Sequence, residues 1–222
     1  MQKSKIEWCD YTINPVKGLC PVGCSYCYAR RMYKRFGWNP EIRYDDMVWQ
    51  TGGYMPKGSK IFIGSTIDLF HDKTIQFLPT IMDYVECLKA YTFIFLTKCP
   101  QNLPSKFPDN CWVGVSVTNP SMLSIGLTAL HDVNAKVKFI SAEPLLERIQ
   151  IDNLRGIDWL IIGQQTPSSV KTSPQMAWIQ DLLVAASNAD NIPVFMKNNL
   201  KPLLTGVWSG WNIRQEYPRK ES

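Results

Sequence analysis

Short apolar runs, each closed by polar residues, recur along most of this chain. They read "KIFIGSTIDLF" from Lys60, "YTFIFLTKCP" from Tyr91, "CWVGVSVTNP" from Cys111, "VKFISAEPLL" from Val137, "DWLIIGQQTP" from Asp158 and "IPVFMKNNL" from Ile192. "YTINPVKG" from Tyr11 gives a weaker first run. Runs this short, rich in β-branched and aromatic residues, predict strands buried on both faces, as in a parallel sheet. Helical patterns separate several of them. "TIQFLPTIMDYVECLKAY" lies between the second and third, and "SPQMAWIQDLLVAASNAD" before the last, with Ser173 placed to cap it ahead of Pro174. Such spacings suit βα units. Six or seven parallel strands in so short a chain predict an incomplete (β/α)6-type barrel, since a full eightfold barrel takes about 250 residues. The alternative is an open doubly wound sheet.

Polar residues close the strands. Ser65, Thr66 and Asp68 follow the second, Thr97 and Lys98 the third, Ser116 and Thr118 the fourth. Ser141 and Glu143 follow the fifth, Gln164 and Gln165 the sixth, Lys197 and Asn198 the last. In a parallel barrel these ends face one mouth, where chemistry is built. Loops are polar in any fold, which accounts for part of the pattern.

The chain has 222 residues, 45% of them hydrophobic, which fits one domain over residues 1–222 with a short polar tail, "YPRKES". No run approaches a membrane span, and "MQKSKIEWCDY" lacks the apolar core of a secretory signal. Seven cysteines suggest no disulfide framework, so a cytoplasmic protein with reduced thiols is expected. A net charge of +5 is compatible with an anionic partner.

Candidate chemistry concentrates in "LCPVGCSYCYARR", where Cys20, Cys24 and Cys27 are spaced C-x3-C-x2-C. Thiolates so close together can wrap a soft metal centre. A [4Fe–4S] cube normally takes one cysteine per iron, so three would leave one iron open to a small molecule. Two plainer readings stand beside this. Cys9 could complete a structural zinc site, or the thiols could simply be buried. Cys87, Cys99 and Cys111 read as ordinary, and two histidines suggest no His metal site. The helix "YARRMYKRFGW" sets Arg30, Arg31, Lys34 and Arg35 beside Trp38, with Trp49 nearby. That combination suits phosphate contact with base stacking, or else a solvated basic face.

"CPVGCSYC" resembles the signature of the radical S-adenosylmethionine superfamily, C-x3-C-x-(aromatic)-C. "IEWCDYTINPVKG", "IFIGSTIDLFHD", "FIFLTKCP", "CWVGVSVTNP", "KFISAEPLL" and "DWLIIGQQTP" resemble, in order, the blocks of an uncharacterised phage and bacterial family of this type. A looser likeness, in the second-strand block followed by "LTK" and "VSV", is to spore photoproduct lyases, DNA-repair members of the superfamily. The resemblance implies that Cys20, Cys24 and Cys27 hold three irons of a [4Fe–4S] cluster and that S-adenosyl-L-methionine chelates the fourth. Reductive cleavage would then give a 5′-deoxyadenosyl radical that takes hydrogen from substrate, fed by a flavodoxin- or ferredoxin-like electron donor. It further implies that Tyr26 packs near the adenine, that Ser65 holds the methionine end, that Lys98 meets its carboxylate, and that Ser116 bonds near the ribose or methionyl group. The chain departs from the family pattern at three blocks. Cys99 stands for an arginine, Thr118 for a glutamate, and Gly163-Gln164-Gln165 for Gly-Gly-Glu. Substrate identity therefore cannot be borrowed. A nucleic acid or nucleotide is the leading class, with a peptide or small metabolite as alternatives. Outside the enzymes, the contrasting reading is a zinc- or cluster-binding module.

Overall fold

The structure is a computed structural model and describes residues 2–50, 55–205 and 213–218. In chain order its first elements are β1 (Gln2–Lys3), β2 (Tyr11–Ile13), β3 (Val16–Lys17), α1 (Tyr28–Phe36), β4 (Arg43–Tyr44) and α2 (Met47–Gln50). Then come β5 (Lys60–Ile63), α3 (Leu78–Cys87), β6 (Thr92–Thr97), β7 (Cys111–Ser116), α4 (Pro120–His131) and β8 (Val137–Ala142). The last are β9 (Trp159–Ile162), α5 (Met176–Asn188), β10 (Val194–Met196) and α6 (Lys201–Thr205). All seven expected strands are present, as β2 and β5 to β10. Consecutive residues in them are buried, such as Phe93, Ile94 and Phe95 in β6 and Leu160, Ile161 and Ile162 in β9. Strands covered on both faces lose the alternation of half-exposed ones, which is why they read as continuous apolar runs.

One mostly parallel sheet takes eight strands in the order β1-β2-β5-β6-β7-β8-β9-β10. β2 with β5, β5 with β6, β8 with β9 and β9 with β10 pair in parallel, while β1 runs antiparallel to β2. From β2 onward the order follows the sequence, without the reversal that defines a doubly wound sheet. A separate antiparallel pair joins β3 to β4.

The chain divides into two compact units. The first comprises Met1–Val113 and Val133–Lys136, the second Gly114–Asp132 and Val137–Ser222. In the first, Phe70, Phe95 and Phe107 form an aromatic cluster with centroids 5.7 to 6.2 Å apart, and Trp8 lies against Phe62. In the second, Trp159 meets Phe139 and Phe195 and is stacked by Tyr217. Tyr217 thus departs from the frayed tail expected there. Arg214 and Glu216 bond to the backbone of β10 and cover that edge. Residues 219–222 of the expected tail lie outside the described ones.

Helix starts follow local chemistry in one case and depart from expectation in another. Asn119 accepts from the Met122 N–H at 2.9 Å and caps α4, whose first residue is Pro120. Ser173 does not cap α5. The helix begins later, with Gln175 at the cap position, because the Ser173 hydroxyl is committed to Gln164 Oε1 and the Ser169 carbonyl.

Candidate functional site: the cysteine loop and the strand ends beside it

The cysteine loop is tied down at both ends and at its sulfurs. Cys27 is the N-cap residue of α1, and its carbonyl accepts from Arg31. The positive end of a helix therefore begins at the third cysteine, with no acid in its first turn to offset it. Arg30, in the first turn of α1, donates to the Cys20 carbonyl at 2.9 Å. Beyond β5, Gly64 adopts φ +78°, and a Cβ there would lie 2.8 Å from Leu69 Cγ. Only glycine allows the tight turn that folds residues 65–70 back toward the loop.

That turn presents Asp68, which clasps three elements. Its N–H donates to Cys20 Sγ at 3.4 Å. Its carboxylate accepts from Thr97 Oγ1 at 2.8 Å, from the Lys98 N–H at 2.7 Å and from the Phe70 N–H at 3.0 Å. One side chain thereby joins the cysteine loop, the end of β5 and the end of β6. Asn14, at the end of β2, holds the Ser65 hydroxyl through its amide and accepts from the Thr66 N–H. Tyr28, in the first turn of α1, donates to the Ser65 carbonyl at 2.7 Å. Lys98 Nζ lies 5.9 Å from the centre of the Tyr26 ring, a cation–π distance.

The electrostatics place the thiols in one neighbourhood. Burial pushes the Cys20 thiol up, opposed by the backbone N–H groups of Asp68 and Val22, with the charges of Asp68 and Cys27 adding to the rise. The Tyr26 hydroxyl is raised by burial, then by the charge of Cys24 and a side-chain hydrogen bond to it, then by Cys27. Cys99 is pushed up to about 12 by burial, then by the charges of Asp68, Cys20, Asp72 and Cys24. Among the described residues, no three His, Cys, Asp or Glu side chains are already set at metal-holding geometry. The fit to a soft metal centre rests on the donor set: three half-buried thiols in one loop, one receiving a backbone N–H as metal-bound sulfurs do.

Cys20, Cys24, Cys27, Tyr26, Ser65 and Lys98 therefore all belong to the first unit and are linked through Asp68, Tyr28 and the Lys98–Tyr26 contact. Ser116 belongs to the second unit, where its hydroxyl donates to the Glu143 carbonyl at 3.2 Å. Glu143 ion-pairs there with Lys197. Gln164 and Asn199 exchange hydrogen bonds, among them Asn199 Nδ2 to the Gln164 carbonyl at 2.8 Å. Cys9, the suggested fourth zinc ligand, spends its thiol on Ser4 Oγ at 3.2 Å. Sequence reasoning missed Asp68 as a clasp and Cys99 as a neighbour of the cysteine loop. Neither carries a local motif, and only the replaced arginine marked Cys99.

Among solved structures, a cysteine-to-serine mutant of spore photoproduct lyase shares the fold with a TM-score of 0.50 and 15% identity, over 99% of this chain and 71% of that one. No curated protein matches the chain. The family described as "Protein of unknown function (DUF5131)" matches residues 3–201, and the chain belongs to that family.

Proposed function

We propose that this chain is a radical S-adenosylmethionine enzyme, a single cytoplasmic domain of the incomplete (β/α)6-barrel kind. The observation that carries the reading is the Asp68 clasp. It ties the C-x3-C-x2-C loop to the ends of β5 and β6, where the resemblance puts the cofactor-holding serine and lysine. The sequential strand order and the fold shared with spore photoproduct lyase support the barrel assignment.

Cys20, Cys24 and Cys27 would hold a [4Fe–4S] cluster, and Ser65, Lys98 and Tyr26, of the same unit, would hold S-adenosyl-L-methionine. When bound, this pair supplies one-electron cleavage of the sulfonium and hydrogen abstraction from substrate. The chain's own residues bind and orient. Lys98 offers an ammonium to the cofactor carboxylate, a charge-assisted contact worth more than a neutral one. Tyr26 keeps its proton across the ordinary pH range, so it stays neutral beside the sulfurs. The Asp68 N–H relieves charge on Cys20, and its carboxylate sets the height of the Lys98 backbone. Burial of Phe70 and Phe95 behind this clasp limits water on the core side. The electron would come from a flavodoxin- or ferredoxin-like donor.

One observation favours a second reading. Cys99 lies close enough to Cys20 and Cys24 for their charges to act on it. Four thiols could saturate a zinc ion or a passive cluster, leaving no open position. Oxygen-free purification separates the two. The enzyme reading expects about four irons per chain, retained in Cys99→Ala, and 5′-deoxyadenosine formed with dithionite and S-adenosyl-L-methionine. Stoichiometric zinc that depends on Cys99 supports the second reading instead.

A further inference from the structure

The far end of α1 carries a surface that the cofactor site does not use. The helix holds four basic residues and no acid. Arg30 serves the cysteine loop. Arg31, Lys34 and Arg35 are exposed, and their i, i+3 and i, i+4 spacing puts them on one face. The helix ends at Gly37, whose φ of +62° lets the chain turn back, so that the Trp38 N–H reaches the Tyr33 carbonyl at 3.3 Å. This turn sets the Trp38 ring against Phe36, with planes 23° apart and centroids at 5.5 Å, and edge-on to Tyr33. Arg35 lies 5.3 Å from the Phe36 ring centre. Phe36 and Trp38 nonetheless remain 54% and 44% exposed. Rings of this size usually supply core, so two stacked ones left in water beside three cations mark a contact surface.

We propose that this end of α1 is a docking platform for single-stranded nucleic acid, with Arg31, Lys34 and Arg35 meeting phosphates and Phe36 and Trp38 stacking bases. An acidic protein would offer these side chains charge without a regular row of aromatic faces for Phe36 and Trp38. A polynucleotide uses both, because every base offers an aromatic face and every linkage a charge. The nine residues of α1 span only about 13 Å between this platform and Cys27. A bound strand therefore passes near the cysteine loop. The inference names the substrate class of the site proposed above and rests on that reading for its meaning, but the docking itself needs neither cluster nor cofactor.

The test is fluorescence anisotropy of a labelled single-stranded oligonucleotide of about 16 nucleotides, titrated with the full chain, beside polyglutamate of matched charge. Binding to the oligonucleotide is expected, with polyglutamate weaker. Three phosphate contacts predict a loss of about 20-fold in affinity between 50 and 200 mM salt. Trp38→Ala should weaken binding at least about fivefold while leaving that salt dependence in place, and Trp38→Phe should restore most of it. Arg31→Gln with Lys34→Gln and Arg35→Gln should flatten the salt dependence. Circular dichroism of each variant checks that α1 is intact. Failure to bind the oligonucleotide overturns the platform and leaves the cluster reading untouched, since iron content is measured separately. Equal affinity for polyglutamate, unchanged by Trp38→Ala, also overturns it and assigns the face to an acidic protein.

Discussion

Two lysines close two strands, and the units around them treat them differently. In the second unit Lys197 pairs with Glu143, Ser116 bonds the Glu143 carbonyl, and Gln164 locks onto Asn199 and Ser173. These polar ends satisfy one another. In the first unit Lys98 lies over the Tyr26 ring, and Asp68 spends its carboxylate on the backbone of Phe70 and Lys98 and on Thr97. Its N–H goes to a cysteine sulfur. The same sequence pattern, an apolar run ending in polar residues, builds a self-satisfied network in one unit and a frame around a thiol loop in the other. The polar ends of the first unit are therefore where chemistry is to be sought.

The largest effect that would break this contrast is on metal content. Cys24→Ala should lose nearly all bound iron, measured by colorimetric iron and sulfide assay, with the circular dichroism spectrum kept. Glu143→Gln should leave iron unchanged. Next is Gly114→Ala in β7, where a Cβ would lie 2.3 Å from Phe139 Cζ. The buried Phe139 cannot retreat freely, so a loss of about 1–3 kcal/mol is expected in urea unfolding. Asp68→Asn turns an acceptor into a donor facing the Lys98 N–H. It should cost a similar amount and also lower iron retention, because the clasp on Cys20 loosens. Glu143→Gln should cost about 1–2 kcal/mol and nothing else, since the pair is mostly buried.

The smallest effect concerns thiols outside the site. Burial, then the charge of Asp109, pushes the Cys111 thiol up to about 12 from its ordinary 9, while Cys87 is exposed. A thiol raised in the fold contributes stability that is complete below pH 9 and lost as pH rises toward 12. At pH 8, Cys87 should therefore alkylate and Cys111 stay silent until denaturant is added, as peptide mass mapping would show.

The strands were legible because a buried strand must be apolar whatever its neighbours. β1, β3 and β4 were not, because two residues carry no period, and Gln2–Lys3 on an edge needs no apolar face. The α5 cap was misplaced because Ser173 has two suitors in sequence terms, and the tertiary one, Gln164, won. Asn119-Pro120 carried a readable cap that the apolar pattern alone does not reveal. Within the site, the cysteines announce themselves by spacing. Asp68 does not, since two of its carboxylate's three partners are backbone N–H groups, which nearly every residue has. Cys99 comes near the loop through the parallel pairing of β5 with β6, a contact that no local pattern encodes.

The most direct measurement is electron paramagnetic resonance of the reduced, oxygen-free protein before and after S-adenosyl-L-methionine. The account predicts a [4Fe–4S] signal that depends on Cys20, Cys24 and Cys27 and changes shape when the cofactor is added. A signal indifferent to the cofactor, or a silent protein holding zinc through four thiols, would contradict it.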